Sequence, residues 1–149
     1  MLQRIQTLFL LIAIGLTVAF FFVPFGYAPA LDETAHQAFM RPLVVSDFLA
    51  LILSTGASLV AMVAAIFTFR NYPLQKLMTA LSAVFILTTI GVVIYAIVTP
   101  YVDAEADISI ATSWGWGVLL LIFALVAVLL AFRNIAKDQR LIRSYDRIR

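Results

Sequence analysis

Glu33-Thr34-Ala35-His36 sets the single histidine of the chain three residues after a carboxylate. Helical bundles use this Glu-x-x-His spacing to hold paired metal ions, with glutamates from neighbouring helices completing each site. The sequence has no second copy, and the tetrapeptide falls in a short connection between apolar runs, so a solvated or locally bonded histidine is the better reading. Asp103, Glu105 and Asp107 alternate like the first three ligands of a calcium loop. The glycine such a loop needs at its sixth position is Ile108, and the acidic ligand at its twelfth is Trp114, which leaves an ordinary acidic loop. Ser144 and Tyr145 stand among arginines with no identifiable general base. The chain has no cysteine, which removes disulfides, thiolate nucleophiles and cysteine metal sites together. Gly-rich phosphate loops, serine nucleophile motifs and zinc motifs are missing as well. The sequence therefore predicts no catalytic residue, no metal and no cofactor.

The elements around these residues belong to a bilayer. Apolar residues make up 64% of the 149 positions and charged residues 12%, against roughly 45–50% and about 25% in ordinary globular chains. Four runs are long enough to cross ~30 Å of hydrocarbon as helices: Leu8 to Tyr27, Phe48 to Phe69, Leu77 to Thr99 and Trp114 to Phe132. They are continuously apolar, whereas barrel strands would alternate with polar residues. The expected fold is an all-α membrane protein: one antiparallel four-helix transmembrane bundle over residues 1–149, with a cytoplasmic tail over 133–149. Ala28-Pro29-Ala30 resembles a signal-peptide cleavage site, but the apolar run before it exceeds the 7–15 residues of a usual signal core, so the first helix is expected to be a retained span. Asn71-Tyr72-Pro73 supplies a tight turn between spans two and three. Ser46-Asp47 is expected to cap the second helix.

Basic residues fix the expected orientation. With the N-terminus cytoplasmic, the inner segments hold Arg4, Arg70, Lys76 and six bases of the last seventeen residues, while the outer loops hold Arg41 alone. Such asymmetry places both termini in the cytoplasm. The net charge of +2 does not indicate nucleic acid, because the bases cluster at the ends of apolar runs.

Helices in lipid associate through small residues and occasional hydrogen bonds. Ala50, Ser54, Ala57, Ala61, Ala64 and Thr68 form such a seam on the second span, and Ser113, Gly117, Leu120, Ala124, Ala127 and Ala131 form one on the fourth. Their 3.5-residue repeat predicts left-handed packing. Leu49, Leu53, Leu59, Leu119, Leu121, Phe123 and Val126 are expected on the opposite faces. None of the four span centres holds Asp, Glu, Lys, Arg or His, although intramembrane chemistry normally depends on such groups. Polar groups within the spans are chiefly hydroxyls, and these can bond to the preceding helical turn.

After the fourth span, Leu141, Ile142, Tyr145, Ile148 and Ile135 fall on one side of a helical projection and Arg140, Arg143 and Arg147 on the other. This predicts a basic amphipathic helix, continuing the span or hinged against it. It could lie on an anionic inner leaflet, act only as a solvated topology anchor, or offer arginine geometry to acidic groups of a partner.

The opening Leu2-Gln-Arg-Ile-Gln-Thr-Leu-Phe-Leu-Leu-Ile-Ala13 and the closing run from Lys137 to Arg149 resemble the end signatures of a family of small four-span proteins from Bacteroidetes-type bacteria, catalogued as a domain of unknown function. The resemblance implies a bacterial inner membrane and carries no activity with it. It directs attention to Gln3, Arg4, Gln6, Lys137, Asp138, Arg143, Ser144, Asp146 and Arg147, and implies that Arg4 and Gln6 lie near the start of the tail.

The sequence is thus read as a multi-pass inner-membrane protein without enzymatic activity, an accessory or scaffold subunit of a membrane complex. Arg4, Gln6, Arg133, Lys137, Arg140, Arg143, Asp146, Arg147 and Arg149 would contact anionic lipid or other inner-membrane subunits. The alternative is a small oligomeric transporter or channel lined by Ser54, Ser58, Thr88, Thr89 and Tyr95.

Overall fold

The computed structural model describes residues 2–32, 37–98 and 113–146. Among them α1 (Leu2–Phe20), β1 (Gly26–Asp32), β2 (Gln37–Leu43), α2 (Leu49–Phe67), α3 (Tyr72–Val98), β3 (Ser113–Trp114) and α4 (Gly117–Asp146) succeed one another, with one 3-10 turn at Val45–Asp47 before α2.

Buried positions recur along all four helices with spacings of three and four. They are Gln6, Leu10, Ala13, Thr17 and Phe20 on α1, and Leu51, Ser54, Ser58, Ala61 and Ala65 on α2. On α3 they are Gln75, Thr79, Ser82, Ile86, Thr89, Val93 and Ala96, and on α4 Leu121, Ala124, Val128, Ala131, Ile135 and Asp138. A sustained 3.5-residue period keeps one seam of each rod against its neighbours, as in left-handed bundles. Outward faces carry large apolar groups instead, such as Leu8, Leu11, Leu53, Val60, Phe67, Leu87 and Phe123. Among the described residues ten polar side chains are buried while leucine, valine and phenylalanine are exposed, a distribution suited to lipid as the solvent.

Among the described residues three helices are long and apolar enough to cross a membrane: Leu49–Phe67, Tyr72–Val98 and the Gly117–Gln139 part of α4. The apolar part of α1, Ile5–Phe20, is shorter, roughly 24 Å at 1.5 Å per residue. The first apolar run therefore does not stay helical to Tyr27. The helix ends near Pro24, which cannot continue it, and the chain turns through Phe21 and Phe22.

The segment after Pro24 departs from the expected all-helical fold. The first connection is a β-hairpin, with β1 antiparallel to β2 and Tyr27 opposite Pro42 and Pro29 opposite Met40. Tyr27 and Pro29 are two residues apart, so both prolines occupy the same phase of the ladder, where a missing N–H removes no bond between the two strands. The two residues of β3 complete a sheet in the order β2-β1-β3. Phe25, with its ring 6.2 Å from Phe20 and 5.9 Å from Phe48, joins this sheet to the bundle through a core that includes Leu43, Val45, Leu51, Ile97 and Leu121. Leu121 is fully buried, not on the outward face expected for it. Leu10, Ala13, Met62, Ala65, Ile86, Ala124, Val128 and Ala131 form a second core cluster within the bundle.

Two local contacts fix how the chain enters the helices. Asp47 does not cap α2: its carboxylate accepts from the Val44 N–H at 3.3 Å and pairs with Arg41 at 3.2 Å, so it closes the 3-10 turn. Asn71 caps α3, its Oδ1 accepting from the Leu74 N–H at 3.4 Å, with Pro73 in the first turn where an N–H is dispensable. The turn joining α2 to α3 thus takes the predicted residues.

Candidate functional site at the charged end of the bundle

The start of α1, the α2–α3 turn and the last turns of α4 share one end of the bundle. Lys76, near the start of α3, lies 5.3 Å from the centroid of the Phe132 ring on α4. Gln6 on α1 donates from Nε2 to Oδ2 of Asp138 on α4. Both residues continue the buried stripes of their helices, so the same 3.5-residue period that packs alanine against alanine deeper in the bundle brings an amide to a carboxylate here.

Gln6 is fully buried and Asp138 is 8% exposed. The amide supplies a donor that a buried carboxylate needs. Its own Oε1 has no hydrogen-bond partner among the described residues, nor has Oε1 of the buried Gln75.

Around this interior the surface is cationic. Arg133 and Lys137 are exposed, and with Phe132 and Ala136 they line an open groove of about 270 Å³. The spacing explains its shape: Phe132 and Ala136 stack in one i, i+4 column and Arg133 and Lys137 in the adjacent one, with the small Ala136 leaving the depression. Arg70 stands 5.7 Å from the Phe69 ring on the neighbouring turn.

Of the other residues singled out in the sequence, Arg4 lies in α1, and Arg140, Arg143, Ser144 and Asp146 lie in the unbroken helix α4. Arg147 and Arg149 lie outside the described residues, as do Glu33, His36, Asp103, Glu105 and Asp107. No group of three or more His, Cys, Asp or Glu that could hold a metal ion occurs among the described residues. The helix-packing residues Gly117, Ala124, Ala127 and Ala131 are buried. On α2 the seam is rotated from the alanine row: Ser54 and Ala61 are buried, Ala57 and Ala64 half-buried and Ala50 exposed, because Leu51, Thr55, Ser58 and Met62 occupy the interface instead.

The hydroxyls are largely occupied by their own helices. Ser54, Thr55, Ser58, Thr79 and Ser82 donate to carbonyls three or four residues back. Thr89 also reaches Ser54 across the α2–α3 interface at 2.9 Å. Thr88 and Tyr95 face outward, so the five positions named for a pore do not share one face. Gln75 is missing from the sequence-derived candidates because apolarity starts the third span only at Leu77. Its heptad phase with Thr79, Ser82 and Ile86 is the signal that identifies it.

The chain belongs to the family described as a domain of unknown function (DUF4293), whose model matches residues 2–148. Among curated proteins none matches this sequence.

Proposed function

We propose that this membrane protein is an accessory or scaffold subunit without enzymatic activity, embedded in the bacterial inner membrane with four spans and both termini in the cytoplasm. Arg70, Lys76, Arg133 and Lys137 belong to one end of the bundle, while Arg41 belongs to the other with the sheet. The basic end is then the cytoplasmic one. On this reading α1 crosses as a short span, held by α4 along its buried stripe.

The observation that carries the proposal is the continuity of α4. Its 30 residues extend roughly 45 Å at 1.5 Å per residue, beyond the ~30 Å hydrocarbon thickness. The last turns, bearing Arg140, Arg143 and Asp146, are carried past the membrane as a rigid extension suited to a cytoplasmic or membrane partner. Photo-crosslinking from positions 140 and 143 in living cells is expected to yield the same inner-membrane subunit in independent preparations. Loss of residues 140–149 should abolish that product and the associated phenotype. No product, together with no consequence of the truncation, overturns the accessory role.

A further inference from the structure

We propose that the groove lined by Phe132, Arg133, Ala136 and Lys137 is a binding site for the anionic headgroup of a membrane glycerophospholipid. The inference deepens the membrane reading above and rests on it, but not on the accessory role.

Charge is the first argument. Arg133 and Lys137 flank the groove, and Lys76 stands over the Phe132 ring that forms one wall. The ion pair that joins described residues, Arg41 with Asp47, lies at the other end of the bundle. The acid nearest in sequence, Asp138, is turned inward onto Gln6 and does not face the groove cations. Among the described residues the site thus presents positive charge without an acidic partner, and a phosphate supplies one.

Depth is the second. Ile122, Val126, Leu129 and Leu130 are exposed on α4 ahead of Arg133, the first charge after sixteen uncharged residues from Gly117. Those sixteen residues rise roughly 24 Å. The groove therefore sits where an apolar belt gives way to cations, the level of lipid phosphates, and an acyl chain would run along the apolar column leading away from it. Shape is the third. Residues four apart on a helix have Cβ atoms about 5–6 Å apart, so Arg133 and Lys137 can hold two oxygens of one phosphate while Ala136 admits its bulk.

The test uses the full chain in detergent micelles, with native mass spectrometry after addition of phosphatidylglycerol or phosphatidylcholine at equal concentration. Preferential retention of one phosphatidylglycerol per chain is expected. Arg133→Gln with Lys137→Gln should weaken retention by roughly 25-fold, about fivefold for each cation removed. Lys76→Gln should weaken it less, and Arg41→Gln at the opposite end should leave it unchanged. Raising salt should release the lipid from the unaltered protein, a measurement that holds even if the double variant fails to fold. Glycerol phosphate lacking acyl chains should not compete. Equal retention of both lipids, full retention by a folded double variant, competition by free glycerol phosphate, or displacement of the lipid by an acidic peptide alone each overturns the proposal. Failure here with successful crosslinking from the α4 end removes the lipid site and leaves the accessory role standing.

Discussion

Gln6 and Asp138, 132 residues apart, are joined by a buried hydrogen bond from Nε2 to Oδ2. It ties the first turns of α1 to the part of α4 that lies beyond its most apolar stretch. Among the described residues Gln6 is the donor that meets this buried carboxylate.

Removal of one partner should therefore cost more than removal of both. Gln6→Leu and Asp138→Leu are each expected to lower unfolding stability, by about 1.5–3 kcal/mol for Gln6→Leu, where the charged acceptor is left alone. The double replacement should recover much of that loss. A cycle of the three variants, measured by denaturant unfolding in micelles, checks this; additive losses would show that the two side chains do not act on one another.

Gln75→Leu should behave oppositely to Gln6→Leu. Its Oε1 has no partner among the described residues, so an apolar replacement of similar reach is expected to be neutral or stabilising by about 1 kcal/mol in the same unfolding measurement. A clear loss would show that the oxygen is engaged.

Gly115 lies directly on the chain leaving α1. Its N–H donates to the Phe25 carbonyl at 2.8 Å, and a Cβ there would lie 2.7 Å from the Phe25 carbonyl carbon. Backbone cannot yield as a flexible side chain does, so Gly115→Ala is expected to destabilise by about 1–3 kcal/mol. At Gly91, in α3, an added Cβ meets nothing within 4 Å, and Gly91→Ala should be neutral or stabilising. Equal melting temperatures for the two variants would refute the close approach.

The absence of cysteine makes orientation directly measurable. A membrane-impermeant maleimide should label Ser46→Cys in intact spheroplasts and Asn71→Cys only after lysis, both positions being exposed at opposite ends of α2. Labelling of Asn71→Cys before lysis would reverse the proposed topology.

Apolar patterning makes α2 and α3 legible to within a few residues, and Asn71 with Pro73 makes their turn legible. The same signal fails between Phe21 and Leu43. Phe21, Phe22, Val23, Phe25 and Tyr27 are as apolar as a span, yet apolarity reports the solvent a residue prefers and not its backbone geometry. Pro24 and the pairing of β1 with β2 decide that geometry, and the pairing is non-local. The small-residue row overlaps the buried side of α2 at Ser54 and Ala61 but does not fix its rotational phase: Leu51 and Met62 are buried and Ala50 is exposed. At the charged end, likeness of the chain ends points to Asp138. The α4 period, extended past Ala131 through Ile135, leads to it independently.

The unbroken α4 has a mechanical consequence. At its beginning Gly117 donates to the Pro24 carbonyl at 3.1 Å, and the helix runs on to Asp146, its thirtieth residue, with no proline and no further glycine along the way. Such a rod has no built-in hinge, so a torque applied to its arginine-bearing tip is delivered to the hairpin at the far end, making one lever of the two faces of the molecule.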